Sequence, residues 1–253
     1  MILCLKNHPF AVEAFFEQSI VLTFSFPSSI LSRFIPPCLT LDTFNHDTAF
    51  LAVAMVQTRS LRPKGFPAFL GRDFFLVGYR VFVRYKTAAG KNLRGLYILK
   101  SETDSAGMNF FGNIFTHYKY STTDILRESN GDTLVLSSKN AGFKVALSTI
   151  DNPPLPAQSP FADWKEARRF AGPLPFTFTY QAEKKQVLMI EGVRANWVPR
   201  PLVVNDWRFD YFVAVGLENP VLANAFVIEN IPYYWKKGKI ELWNHHEDPF
   251  RVS

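Results

Sequence analysis

The sequence predicts a mainly β protein with a few short helices, closed into a barrel or a pair of stacked sheets. Three observations predict it. Short apolar segments with a period of two recur along the chain. Turn-forming Gly, Pro, Asn and Asp residues separate them into hairpins, and strands and helices do not alternate. The chain is also rich in β-favouring aromatics, with 25 phenylalanines among 253 residues.

Residues 19–26 alternate Ile20, Leu22, Phe24 and Phe26 against Ser19, Val21, Thr23 and Ser25, the pattern of a half-buried strand. Pro27 ends it, and Ser28 is placed to cap a short helix over 29–35 that Pro36-Pro37 stops. Residues 39–41 suit a short extended piece. The apolar run 49–57 suits a strand buried on both sides, with a helix as the alternative. Residues 59–72 read as a loop carrying Arg59, Arg62, Lys64 and Arg72. Residues 74–85 and 94–101 form the strand pair around which the chain is organised. One face of 74–85 is Phe75, Val77, Tyr79, Val81, Val83 and Tyr85; the other is Phe74, Leu76, Gly78, Arg80, Phe82 and Arg84. The pattern does not say which of them points inward. Hairpins are expected at 133–139 with 143–149, and at 176–180 with 186–193. A proline-rich connector covers 151–160, and a helix covers 163–170, where Asp163 and Glu166 make a capping pattern and Gly172 stands past its end. Further strands are expected at 199–204, 221–228 and 239–243. The reading is one β-barrel domain over 1–243 and a polar tail over 244–253.

Net charge is +6, with basic residues scattered rather than massed in a stripe, which argues against nucleic acid as a partner. No apolar stretch approaches the ~20 residues of a membrane helix. No secretory signal is visible, and Cys4 and Cys38 make no metal motif, so a cytoplasmic protein with free thiols is expected. His245 and His246 beside Glu247 and Asp248 are poorly placed to converge on one ion, so no metal and no cofactor are expected. Glycine-rich phosphate loops and the Gly-x-Ser-x-Gly elbow are missing.

Two places remain for chemistry. Arg80 stands in the middle of an apolar strand and needs a partner, water or a ligand there. The segment 107–120 packs Asn109, Asn113, Phe115, Thr116, His117, Tyr118 and Lys119 close to that strand, a density suited to a pocket wall. The plainer alternative is that these groups satisfy buried backbone while Lys119 reaches water.

Several blocks resemble the uncharacterised YqjF-like family, domain of unknown function 2071. They are LTLDTF (39–44), AVAMVQ (52–57), LRPKGFP (61–67), GYRVFV (78–83), GNIFTHY (112–118), KEARRFAGPLP (165–175) and VLANAF (221–226). The resemblance implies the fold of acetoacetate decarboxylase, a cone-shaped double β-barrel around a central cavity. That enzyme class uses a lysine nucleophile whose pKa is lowered by burial and an adjacent cation. By order along the chain the paired lysines would fall near Phe115 and Thr116, and the acidic partner near Gly78; neither is present. Lys184-Lys185 looks like the pair but falls in a hairpin turn.

Three readings follow. The first is a barrel that binds a small organic acid or another small apolar-bodied ligand without Schiff-base chemistry, with Arg80 as anchor for an acid and Phe82, Phe115, Thr116, His117 and Tyr118 around the ligand. The second is an enzyme on an organic acid or carbonyl compound, with His117 as acid–base group and Lys119 as amine. The third is a filled barrel that serves structure or a protein partner. A homo-oligomer is compatible with each.

Overall fold

The computed structural model describes residues 5–171, 174–195 and 197–243. The polar tail, with its His pair, Cys4 and Gly172 lie outside the described residues.

Fifteen strands are present: β1 Val12–Pro27, β2 Thr40–Leu41, β3 Thr48–Pro63, β4 Arg72–Lys86, β5 Asn92–Thr103, β6 Tyr120–Thr122, β7 Leu126–Asn130, β8 Thr133–Ser138, β9 Phe143–Ser148, β10 Phe176–Gln181, β11 Gln186–Arg194, β12 Arg200–Pro201, β13 Val203–Phe209, β14 Val221–Trp235 and β15 Lys239–Leu242. Four short helices join them: α1 Ser28–Ser32, α2 Ala106–Phe115, α3 Trp164–Ala167 and α4 Asp210–Ala214. The protein is mainly β, as its sequence predicts. None of the described helices is long and apolar enough to cross a membrane.

Strands β14, β1, β3, β4, β5, β10 and β11 are hydrogen-bonded in that order, and β11 pairs back onto β14. The ring therefore closes, which removes the exposed edges of an open sheet. Closure rests on two short ladders: parallel β5–β10 and antiparallel β11–β14, three residue pairs each. A second sheet, β13-β9-β8-β7, lies beside the ring.

The period-two split of β4 sorts its side chains into two cores. Phe75, Val77, Tyr79, Val81, Val83 and Tyr85 join a core with Phe143, Val145 and Phe209 of the second sheet. Phe82 turns the other way, into a core with Phe50, Phe161 and Phe170. The cavity lies on the Arg80 face and touches β1, β3, β4, β5, β10 and β14, so that face points into the ring.

Some expectations change. Residues 19–26 are buried on both faces, not one. Their polar members are satisfied inside: Thr23 Oγ1 donates to Phe170 O (2.9 Å) and Ser25 Oγ to Val221 O (3.4 Å). The expected helix over 29–35 stops at Ser32, and Ser28 is its first residue rather than its cap. The expected loop over 59–72 is shorter, because β3 runs to Pro63, pairing with β1 as far as Val12, and β4 starts at Arg72; residues 64–71 are the connection between them. The cations of this region already have partners. Arg59 bonds Glu17 and Asp73, Arg62 bonds Glu13, Lys64 lies over the Tyr234 ring and Arg72 over Phe111. The helix at 163 forms as its cap predicts, with Asp163 accepting from Glu166 N (2.7 Å) and Glu166 from Ala162 N (2.9 Å).

Candidate functional site

One end of the ring interior is plugged and the other is hollow. Phe50, Phe82, Phe161 and Phe170 fill the plugged end, with Phe50 and Phe170 centroids 4.3 Å apart. The hollow end is a cavity of about 160 Å³. Its walls come from β1 (Phe16, Ser19), β3 (Val56, Thr58), β4 (Phe74, Leu76, Arg80) and β5 (Leu96, Ile98, Ser101). Phe10 and Phe111 line it and are 37% and 43% exposed, so they mark its mouth.

Arg80 is the charged group of this wall. Neighbouring Gly78, on the same face of β4, makes room for it: a Cβ there would stand 3.0 Å from Arg80 Nε and 3.1 Å from Nη2. The guanidinium thus lies back along its own strand. Its Nε is buried without a hydrogen-bond partner, and Arg80 makes no ion pair among the described residues. What surface it keeps faces the cavity. Burial pushes its pKa below the ordinary arginine value, while Tyr120, Tyr233 and Tyr118 nearby act the other way. The same burial raises the three phenols, Tyr120 to about 12. They stay protonated at neutral pH and can donate hydrogen bonds beside the guanidinium.

Helix α2 builds the adjoining wall. Ser105 caps it, accepting from Met108 N (3.2 Å). Asn113 then ties helix to strand, donating to Tyr120 O (2.9 Å) and accepting from Tyr120 N (2.9 Å). Gly112 is required here, because a Cβ would collide with the Tyr120 ring. After the helix the chain is extended at Thr116. Phe115, Thr116 and Tyr118 line the cavity, but His117 and Lys119 do not. His117 lies 3.5 Å from Gln181 Nε2; burial lowers its pKa, with Lys6 and Lys184 adding to the effect. Lys119, in a left-handed conformation (φ 54°), is exposed. Phe82 is likewise absent from the cavity wall, two residues from Arg80 but inside the aromatic plug.

The structure thus brings together four of the six expected ligand contacts, Arg80, Phe115, Thr116 and Tyr118. It adds several the sequence did not mark: His8, Tyr120, Thr177 and Tyr233. His8 reaches the cavity because its segment is pinned twice, His8 N donating to Phe115 O (3.2 Å) and Gly238 N to His8 O (2.9 Å). It is 6% exposed, and burial pushes its pKa down to about 4, so the imidazole is neutral at pH 7. No lysine occurs among the described residues that line the cavity, and no group of three or more His, Cys, Asp or Glu able to hold a metal ion occurs among the described residues.

A family model covers nearly all of this architecture: DUF2071, an uncharacterized conserved protein, matches residues 14–241. The chain belongs to the DUF2071 family. A curated relative, the uncharacterized protein YqjF of Bacillus subtilis (strain 168), is 30% identical over 131 residues. That match takes in 49% of this chain, and the chain spans about half (52%) of the relative's length. The ring is also similar to two solved structures. Acetoacetate decarboxylase from Legionella pneumophila superposes with a TM-score of 0.61 at 12% identity, over 92% of this chain and 88% of that one. An acetoacetate decarboxylase-like enzyme from Sphingomonas wittichii RW1 gives 0.55 at 10% identity, over 92% of each. At such identities the likeness is one of fold. The DUF2071 chain thus has an acetoacetate decarboxylase-like fold.

Proposed function

We propose that this DUF2071 protein binds a small organic monocarboxylate inside its ring, with the carboxylate on Arg80 and without a Schiff base. The observation that carries the reading is a buried guanidinium at a cavity, with no carboxylate among the described residues paired to it. A buried charge is costly unless paired, and a guanidinium pairs best with a carboxylate in a two-pronged contact. A single cation among the described residues of the wall favours a single negative charge on the ligand. Size supports the same class: ~150 Å³ of apolar cavity is enough for benzene, and this cavity is about 160 Å³. A body of about six carbons suits it. The bare wall, with no lysine among its described residues, supports binding in place of imine chemistry.

A thermal-shift series tests this. Benzoate and hexanoate are expected to raise the Tm of the wild type, and the dicarboxylate phthalate to do so far less. Arg80→Met is expected to abolish the shifts. Shifts of equal size in Arg80→Met would remove the anchor, and no shift with any monocarboxylate at millimolar concentration would remove the reading.

A further inference from the structure

Two polar groups on cavity-lining residues have no hydrogen-bond partner among the described residues. His8 is 6% exposed and its Nε2 has no hydrogen bond. The Tyr118 hydroxyl is also buried and unbonded; Thr177 stands near it without making a well-formed hydrogen bond. Both residues line the cavity. They belong to one stretch of wall, since His8 N is bonded to Phe115 O, three residues before Tyr118. Tyr118 in turn lies within electrostatic reach of Arg80. Buried polar groups in folded proteins are nearly always paired, and each exception calls for an explanation.

A purely hydrocarbon body would leave both groups unsatisfied in the filled cavity, at a cost to binding. A hydroxyl can accept from Tyr118 and exchange a hydrogen bond with a neutral imidazole at the same time. We infer that His8 and Tyr118 read a hydroxyl on the bound acid, so that the ligand class is the hydroxy monocarboxylates. This rests on the anchoring role of Arg80 proposed above. His8 is then a specificity-determining residue, brought to the cavity by the segment before β1.

Calorimetry on the full chain tests the inference with two matched series. One compares benzoate with its three monohydroxy isomers; the other compares hexanoate with 2- and 3-hydroxyhexanoate. At least one hydroxy acid is expected to bind roughly five- to tenfold tighter than its parent, the range a single added hydrogen bond supplies. In His8→Phe the ratio of parent to hydroxy-acid Kd is expected to fall by half or more, and in the His8→Phe/Tyr118→Phe double variant to about one. His8→Gln, which returns a polar group near the Nε2 position, is expected to restore most of the ratio. A ratio, unlike a single affinity, is not moved by a general loosening of the fold. If both parents bind through Arg80 and no hydroxy acid gains, or the gain is undiminished in His8→Phe, this inference falls and the anchor stands. If no acid of either series binds, both fall together.

Discussion

At the scale of single residues, the site is a set of groups kept short of what they need. Arg80 Nε has no hydrogen-bond partner among the described residues, and the guanidinium lies in a space that Gly78 leaves open. Removing a buried charge that has no partner relieves the fold. Arg80→Met, tested without ligand, is therefore expected to melt at the same or a higher temperature than the wild type while losing acid binding. A fall of several degrees would show that the guanidinium supports structure instead. Gly78→Ala is expected to weaken acid binding several-fold with little change in Tm. Its Cβ would crowd Arg80 at 3.0–3.1 Å, and the long side chain can only yield by leaving its place. Unchanged affinity in that variant would mean that the position of the guanidinium does not matter.

His8 makes a pH prediction of definite sign. Its pKa is lowered by burial from 6.5 to about 4, so the folded state holds fewer protons than the unfolded one between these values. Stability from this residue is complete above pH 6.5 and is lost as pH falls toward 4, by about 3 kcal/mol in all. Denaturant unfolding across that window is expected to show a flatter pH dependence in His8→Gln than in the wild type. Equal slopes would mean that His8 takes up its proton without disturbing the fold.

At the scale of elements, the closed ring holds its register by pairings that the sequence pattern shows only in part. Near the plugged end, Asp42 follows β2, and its side chain is 1% exposed. It accepts from Arg84 (2.7 Å) on β4 and Arg94 (2.6 Å) on β5. Asp42→Asn is expected to cost about 2 kcal/mol in denaturant unfolding, below the ~3–5 kcal/mol of fully buried pairs. Both arginines are about a third exposed and can turn to water. A loss under a few tenths would make the clamp incidental.

Strand alternation was legible because it has one physical cause, and it separated the two faces of β4 residue by residue. Direction inward was not legible, since both faces are apolar and both are buried. In the sequence, helix α2 shows only as a dense segment of small, polar and aromatic residues. It carries two glycines, Gly107 and Gly112, which intrinsic propensity counts against a helix, and Gly112 is kept for contact with Tyr120. His117 and Lys119 are near the site in sequence but do not line the cavity; the chain leaves the helix extended at Thr116 and turns left-handed at Lys119. His8 carried no signal beyond being a histidine ahead of a strand. It enters the wall through two backbone bonds to distant segments, Phe115 and Gly238, which no local pattern encodes.

At the scale of the whole molecule, the ring interior is filled at one end by stacked phenylalanines and hollow at the other. The plug of Phe50, Phe82, Phe161 and Phe170 gives it a floor, and the segment with His8 and helix α2 gives it a rim. The fold is that of acetoacetate decarboxylase, but the chemistry of the wall is a cation, three protonated phenols and a neutral imidazole. Such a wall suits recognition of one charge at one end of a compact body.

The most direct measurement is a crystal structure of the full chain grown with benzoate. The account predicts the acid inside the ring, its carboxylate oxygens about 2.7–2.9 Å from the Arg80 guanidinium. Benzoate held elsewhere, or seated in the cavity with its carboxylate turned away from Arg80, would contradict it.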